Sequence, residues 1–121
     1  MILKRTIGDV GEKAAAKFLS KRGYRILERN FLCRLGEIDI IAQHKEYLVF
    51  VEVKTRKSRA YGGGEGAITN RKIECIKRAA QTYIMSKGID APVRFDVVTV
   101  YGDGATDKPK NFEIEVIENA F

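Results

Sequence analysis

The segment Val93–Tyr101 is almost continuously apolar, and it follows a long amphipathic segment, Thr69–Lys87, that ends at Gly88. A strand of this composition is typical of a sheet that is covered on both faces. Apolar residues recur at helical spacing through Thr69–Lys87, and glycine after the last turn is typical of a helix C-terminus. A helix that joins two strands of one sheet makes them parallel, with a right-handed crossover. The sequence therefore predicts a sheet with helices packed on it.

The remaining segments complete this arrangement. Two runs rich in apolar and β-branched residues flank a short polar stretch, which predicts a β-hairpin. A helix is predicted before them, with a capping-box-like start at Thr6–Asp9 and an end at Gly23. The predicted elements are helix Asp9–Arg22, an edge strand Tyr24–Phe31, hairpin strands Glu37–Ala42 and Tyr47–Thr55, and a last strand Phe112–Ile117. The order α-β-β-β-α-β-β predicts one α/β domain over residues 1–121, a mixed central sheet flanked by helices.

Composition excludes several classes of protein. The only cysteines, Cys33 and Cys75, are far apart, and His44 is the only histidine, so neither a zinc site nor a Ser-His-Asp triad is expected. We expect two reduced, partly buried thiols. The sequence contains neither a signal-peptide pattern nor an apolar run of membrane-spanning length, which predicts a cytoplasmic protein without membrane contact. If the protein is an enzyme, its catalysis is expected to use carboxylates, lysines and an oxygen-liganded metal.

The positive charge is unevenly distributed. The chain has a net charge of +6, and residues 1–60 carry 14 Lys/Arg against seven Asp/Glu, whereas residues 61–121 carry eight against nine. A basic surface of this kind favours a polyanion partner, because binding to phosphates releases condensed counterions. Solubility alone explains such a surface equally well.

Three charged residues stand out in the predicted hairpin. Because side chains alternate along a strand, Glu52 and Lys54 share one face. A hairpin centred between His44 and Lys45 places Asp39 opposite Phe50, diagonally adjacent to Glu52.

Two carboxylates among apolar residues repel one another, so one of them is expected to have a raised pKa. Mg²⁺ or Mn²⁺ removes the conflict, because hard cations take carboxylate, water and phosphate oxygens. Lys54 is then suited to hold an attacking water or to stabilise charge at phosphorus. The structural alternative is that Lys54 merely neutralises Glu52 on a solvated face.

These motifs resemble the YraN-like bacterial proteins, which are small predicted endonucleases similar to archaeal Holliday-junction resolvases. The likeness runs from about Ile7 to Tyr101 and rests on Gly11-Glu12, Arg29-Asn30, Gly36-Glu37-Ile38-Asp39, Phe50-Val51-Glu52-Val53-Lys54-Thr55-Arg56, Lys72 and Arg94-Phe95-Asp96-Val97-Val98.

The resemblance implies a restriction-endonuclease-like αβββαβ core. It also implies that Asp39 and Glu52 are metal ligands, Lys54 the catalytic lysine and Glu12 a further acid. Ile38 stands where the broader superfamily has proline. A homodimer is expected from the same resemblance, since symmetric cutting of a junction requires two sites related by a two-fold axis.

Other residues have both a functional and a structural interpretation. Glu12 is either a site acid or a first-turn acid that the helix dipole favours. The segment 55–66 is basic and glycine-rich but lacks a P-loop ending. It is either a DNA-contacting loop or a flexible surface loop. Lys72 opposes the dipole of its helix, which favours a phosphate or carboxylate partner. The expected phosphate contacts are Arg56, Lys57, Arg59 and Lys72, with Tyr61 stacking on a base.

The sequence thus predicts a Mg²⁺- or Mn²⁺-dependent DNA endonuclease, with branched or structured DNA as the substrate class implied by the resemblance. One alternative is a DNA-binding or partner-recruiting module on the same fold with weak or absent catalysis. A nuclease acting on RNA is a further alternative.

Overall fold

The structure, a computed structural model, describes residues 7–56, 68–102 and 112–121. Two helices and five strands are present in these ranges. In chain order they are α1 (Ile7–Lys21), β1 (Arg25–Cys33), β2 (Gly36–His44), β3 (Tyr47–Arg56), α2 (Asn70–Lys87), β4 (Val93–Tyr101) and β5 (Glu113–Ile117). The predicted order of elements is confirmed. The predicted capping residue Thr6 and most of the predicted 102–111 loop lie outside the described residues.

The five strands form one sheet in the order β1-β2-β3-β4-β5. Neighbouring strands are antiparallel except β3 and β4, which are parallel and are connected through α2. This confirms the predicted mixed sheet and the edge position of the first strand. Its α/β architecture is compatible with the αβββαβ core that the sequence motifs imply.

Each face of the sheet carries one helix and its own apolar core. On one face, Ala15 and Leu19 of α1 pack with Val49, Val51 and Val98. On the other face, α2 packs on β2 and β3 in a second cluster. The members of that cluster are Ile38, Ile41, Leu48, Phe50, Ile76, Ala79, Ala80 and Tyr83. Coverage of both faces explains why the central strands are so apolar.

The helix ends follow the predicted signals. Thr69 accepts a hydrogen bond from the Lys72 amide at 3.1 Å and is the N-cap of α2. Gly88 ends α2 with φ 62°, and Gly23 follows α1 with φ 92°. Both glycines adopt left-handed backbone that other residues rarely take. Neither helix within the described residues is long and apolar enough to cross a membrane.

Strand β2 changes its facing pattern near Asp39. Ile38 and Ile41 belong to the core under α2, whereas Ile40 belongs to the core under α1. Strict alternation would place Ile38 and Ile40 on the same face. The neighbouring strand is irregular at the same level, because Asn30 has φ 55° between the paired positions Arg29–Ile40 and Phe31–Ile38. The sheet is therefore distorted around Asp39.

A buried polar network lies near the start of β4. Arg94 donates to both carboxylate oxygens of Asp96, at 2.9 and 2.8 Å, and Tyr24 donates to Asp96 at 2.7 Å. Arg94 also lies 2.8 Å from His44 Nδ1, and the His44 ring stacks on Tyr24. Asp96 accepts from the Asn119 amide at 3.0 Å, which ties the end of the chain to the sheet. Arg94 and Asp96 therefore form a buried ion pair within β4.

Candidate active site

The candidate site lies where β2 and β3 separate. Their backbone ladder ends at Ile40 opposite Val51. One position further on, the same register sets Asp39 across from Glu52. Here the Asp39 carboxylate accepts a hydrogen bond from the Val53 backbone N–H at 2.8 Å. The Asp39 carboxylate thus accepts the hydrogen bond that a backbone carbonyl of β2 would accept in a regular sheet, and this bond fixes the position of the carboxylate.

The predicted turn of this hairpin was one residue too early, so each predicted cross-strand partner was wrong by two residues. Phe50 pairs with Ile41 rather than Asp39, and His44 pairs with Tyr47. The turn is therefore centred one position later, between Lys45 and Glu46. Lys45 adopts φ 57°, a left-handed conformation that its residue type does not signal. The consequence is that Asp39 and Glu52 lie directly across from each other instead of diagonally.

Glu52 is the most strongly perturbed acid of the site. Its side chain is only 12% exposed. Burial, followed by repulsion from Asp39, raises the pKa of Glu52 to about 7. Lys72 of α2 opposes this shift, with its Nζ 3.7 Å from Glu52 Oε2. The expectation that one of two crowded carboxylates has a raised pKa agrees with this arrangement.

Glu12 belongs to α1 and therefore approaches the site from the face of the sheet opposite to α2 and Lys72. The preceding Gly11 lets α1 lie close to β3, because a Cβ at Gly11 would be only 2.2 Å from Thr55 Cγ2. Burial and the negative charge of Asp39 raise the pKa of Glu12. An ion pair with Arg29 at 3.5 Å and hydrogen bonding to Arg29 and Asn30 oppose that shift. Glu12 is thus half-buried and close enough to Asp39 for the two charges to interact.

Lys54 lies two residues beyond Glu52 on the same strand and is half-buried. Burial, and then the charge of Arg56, lowers the pKa of Lys54, while Glu52 opposes the shift. A lysine with a depressed pKa holds its proton less tightly than an exposed lysine does.

The predicted phosphate contacts have different surroundings. Arg56 is half-buried and its Nη1 donates to the Thr55 carbonyl at 2.9 Å. Lys72 is paired with Glu52, so the carboxylate partner that its helix position favoured is present. Lys57, Arg59 and the possible stacking residue Tyr61 lie outside the described residues.

The donor set fits a hard divalent cation. Mg²⁺ is commonly held by one or two carboxylates, with waters and phosphate oxygens completing its shell. Asp39 and Glu52 supply two carboxylates whose mutual repulsion a cation would relieve. Across the described ranges, no three His, Cys, Asp or Glu side chains converge as a ligand group. Both cysteines are free and half-buried.

Two residues of this site were not singled out from the sequence. Arg29 and Asn30 were named only as part of the resemblance motif, with no role of their own. Their contacts with Glu12 become visible only when α1 is packed beside β1. The signal that existed was the residue type, because asparagine tolerates left-handed backbone better than most residues.

The fold and the site together define an α/β protein with two carboxylates and a lysine at the open end of a β-hairpin. Residues 11–100 match the family described as "Uncharacterised protein family UPF0102". The chain belongs to this family, which confirms the resemblance to the YraN-like proteins.

The relatives are similar over almost their whole length. A UPF0102 protein of Acetivibrio thermocellus is 50% identical over 120 residues, which cover 98% of this chain and 92% of the relative. A UPF0102 protein of Clostridium acetobutylicum is 48% identical, covering 98% and 96% of the two chains. One from Clostridium botulinum is 47% identical, covering 97% and 94%.

Proposed function

We propose that this protein is a metal-dependent endonuclease that hydrolyses phosphodiester bonds in DNA. The observation that carries the proposal is the Asp39–Glu52 pair. One carboxylate is fixed by the Val53 amide at 2.8 Å, and the other has a pKa raised to about 7 by burial and by its neighbour. A buried carboxyl group whose pKa is raised beside a second carboxylate favours a functional site over a structural one.

Asp39 and Glu52 are the residues that hold Mg²⁺ or Mn²⁺ in this proposal. Such a cation, when bound, neutralises charge at the scissile phosphate and acidifies a bound water. Lys54 donates hydrogen bonds to the attacking water or to the phosphate oxygens on which negative charge develops. Glu12, coupled to Asp39, holds a proton or a water molecule on the α1 side of the site.

DNA as the substrate is supported by the distribution of charge. Arg29 and Lys72 flank the two faces of the site, and the basic segment after Lys54 follows directly in sequence. Positive charge around the acids offsets their repulsion of phosphate. The preference for branched DNA, and the homodimer that symmetric cutting needs, rest on the similarity to junction resolvases.

Cleavage assays test this function. Purified protein is incubated with four-way junction, flap, single-stranded and linear duplex DNA, in Mg²⁺, Mn²⁺ or EDTA. We expect nicking in Mg²⁺ or Mn²⁺ that is lost in EDTA and in Asp39→Asn, Glu52→Gln and Lys54→Ala. Glu37→Gln is the matched control, because Glu37 is an exposed acid on β2. A matched RNA substrate reveals ribonuclease activity in the same assay.

A catalytically weak DNA-binding module is the second candidate function. The ion pair between Lys72 and Glu52 favours it, because a lysine already neutralises the acid without a metal. This candidate predicts salt-dependent DNA binding without cleavage under any metal condition. Cleavage that persists in all three site variants would instead identify a contaminant.

A further inference from the structure

Lys72 occupies an unusual position for a cation. It lies in the first turn of α2, where no acidic residue is present. The positive end of the helix dipole disfavours a lysine there. Its Nζ lies 3.7 Å from Glu52 Oε2, and the Lys72 side chain is 48% exposed. The ion pair with Glu52 compensates for an otherwise unfavourable placement.

The two site carboxylates are held in different ways. Asp39 is fixed by a hydrogen bond of 2.8 Å from a strand amide. The contact of Glu52 with Lys72, at 3.7 Å, is longer than a hydrogen bond and comes from a half-exposed side chain with a flexible stem. Asp39 thus has a rigid backbone partner, whereas the charged partner of Glu52 can leave.

We propose that Lys72 is an exchangeable counter-ion, which pairs with Glu52 in the metal-free protein and contacts a DNA phosphate once a divalent cation has taken its place at Glu52. This inference rests on the proposed function and links its two requirements, metal binding and DNA binding. A cation and the Lys72 ammonium both need the Glu52 carboxylate, so each weakens the binding of the other. When Lys72 is released, the half-exposed side chain is available to a phosphate beside the site.

Titration calorimetry with Mn²⁺ alone, without DNA, tests the competition. Lys72→Met is expected to bind Mn²⁺ about two- to fivefold more tightly than the wild type, the range set by half-exposed ion pairs. Lys72→Arg keeps the charge and is expected to stay within about twofold of the wild type. Lys77→Met is the matched control, since Lys77 is an exposed lysine of the same helix that lies over the Phe95 ring.

The second measurement concerns DNA and uses a Lys54→Ala background, which retains both carboxylates. DNA affinity is measured over a series of salt concentrations, with Mn²⁺ and with EDTA. In Mn²⁺, adding Lys72→Met is expected to reduce the slope of log affinity against log salt by about 0.9, the value for one phosphate contact on duplex DNA. In EDTA the same substitution is expected to leave the slope unchanged, because Lys72 remains with Glu52.

The outcomes distinguish a failure of this inference from a failure of the proposed function on which it rests. Wild-type protein that does not bind Mn²⁺ overturns the proposed metal site, and the counter-ion role with it. Wild-type protein that binds Mn²⁺ while Lys72→Met binds no more tightly overturns the exchange alone. A slope difference of the same size in EDTA and in Mn²⁺ makes Lys72 a constitutive phosphate contact and also refutes the exchange.

Discussion

The crowding of the two acids predicts that Glu52→Gln changes how stability depends on pH. The pKa of Glu52 is raised from 4.5 to about 7 in the folded protein, and its side chain is only 12% exposed. Between these two values the folded state binds more protons than the unfolded state, so the free energy of unfolding falls as pH rises. About one unit above pH 7, both states are largely deprotonated and the loss is nearly complete.

The size of the effect follows from the two pKa values. Between pH 5 and pH 8 the ionisation of Glu52 removes about 2–3 kcal/mol of stability from the wild type. Glutamine has a similar shape but no charge, so Glu52→Gln escapes this loss. The stability of the variant relative to the wild type should therefore increase by about 2–3 kcal/mol over that range.

Urea unfolding in EDTA at several pH values measures this difference. Glu46→Gln, in the exposed turn of the same hairpin, is the matched control and is expected to leave the pH dependence unchanged. A difference between Glu52→Gln and the wild type that stays constant from pH 5 to pH 8 would refute the proposed crowding of Asp39 and Glu52.

Three further predictions follow from the same contacts. Mn²⁺ at about 100 times its Kd should stabilise the wild type by about 2.7 kcal/mol and so raise its melting temperature. Asp39→Asn should largely abolish this rise, and an equal rise in the variant would contradict the assignment of Asp39 as a metal ligand. Asn30→Ala should lower the free energy of unfolding, measured by chemical denaturation, by about 1–2 kcal/mol because φ is 55° at this position, whereas Asn30→Gly should lower it less. A larger decrease in the glycine variant would show that backbone conformation is not the cause. Asp96→Asn should cost about 3–5 kcal/mol, because it leaves the buried Arg94 charge without its main partner. A stability within about 1 kcal/mol of the wild type would show that the other contacts of Arg94, to Tyr24 Oη at 3.0 Å and Glu118 Oε1 at 3.6 Å, compensate.

The sequence was sufficient for the order of elements because each signal was local. Gly88 and Thr69 determine the ends of α2 through their own backbone and side-chain preferences. The composition of Val93–Tyr101 reflects coverage on both faces, which is a property of the strand itself. Local patterns of this kind predict where elements lie, and the mixed sheet follows from the crossover rule.

The register of the site hairpin was not predictable in the same way. It depends on Lys45 taking a left-handed conformation, and lysine gives no indication of that. A shift of the turn by one residue was enough to move Asp39 from a position diagonal to Glu52 to one directly across from it. The face shared by Glu52 and Lys54 was predictable, because alternation along β3 does not depend on the turn.

Contacts between layers were also beyond the sequence patterns. The pairing of Lys72 with Glu52 requires α2 to lie over β3 at a particular height. The contacts of Arg29 and Asn30 with Glu12 require α1 to lie beside an edge strand with an irregular backbone. Periodicity shows which side of a helix is buried, but it does not indicate which residue of another element it contacts.

Anomalous diffraction from crystals grown with Mn²⁺ tests most directly whether Asp39 and Glu52 bind a divalent cation. We predict one manganese peak about 2.1 Å from a carboxylate oxygen of each residue, the distance typical of small hard cations, with the Lys72 ammonium moved away from Glu52. Manganese bound elsewhere while Lys72 still occupies Glu52 would contradict the account.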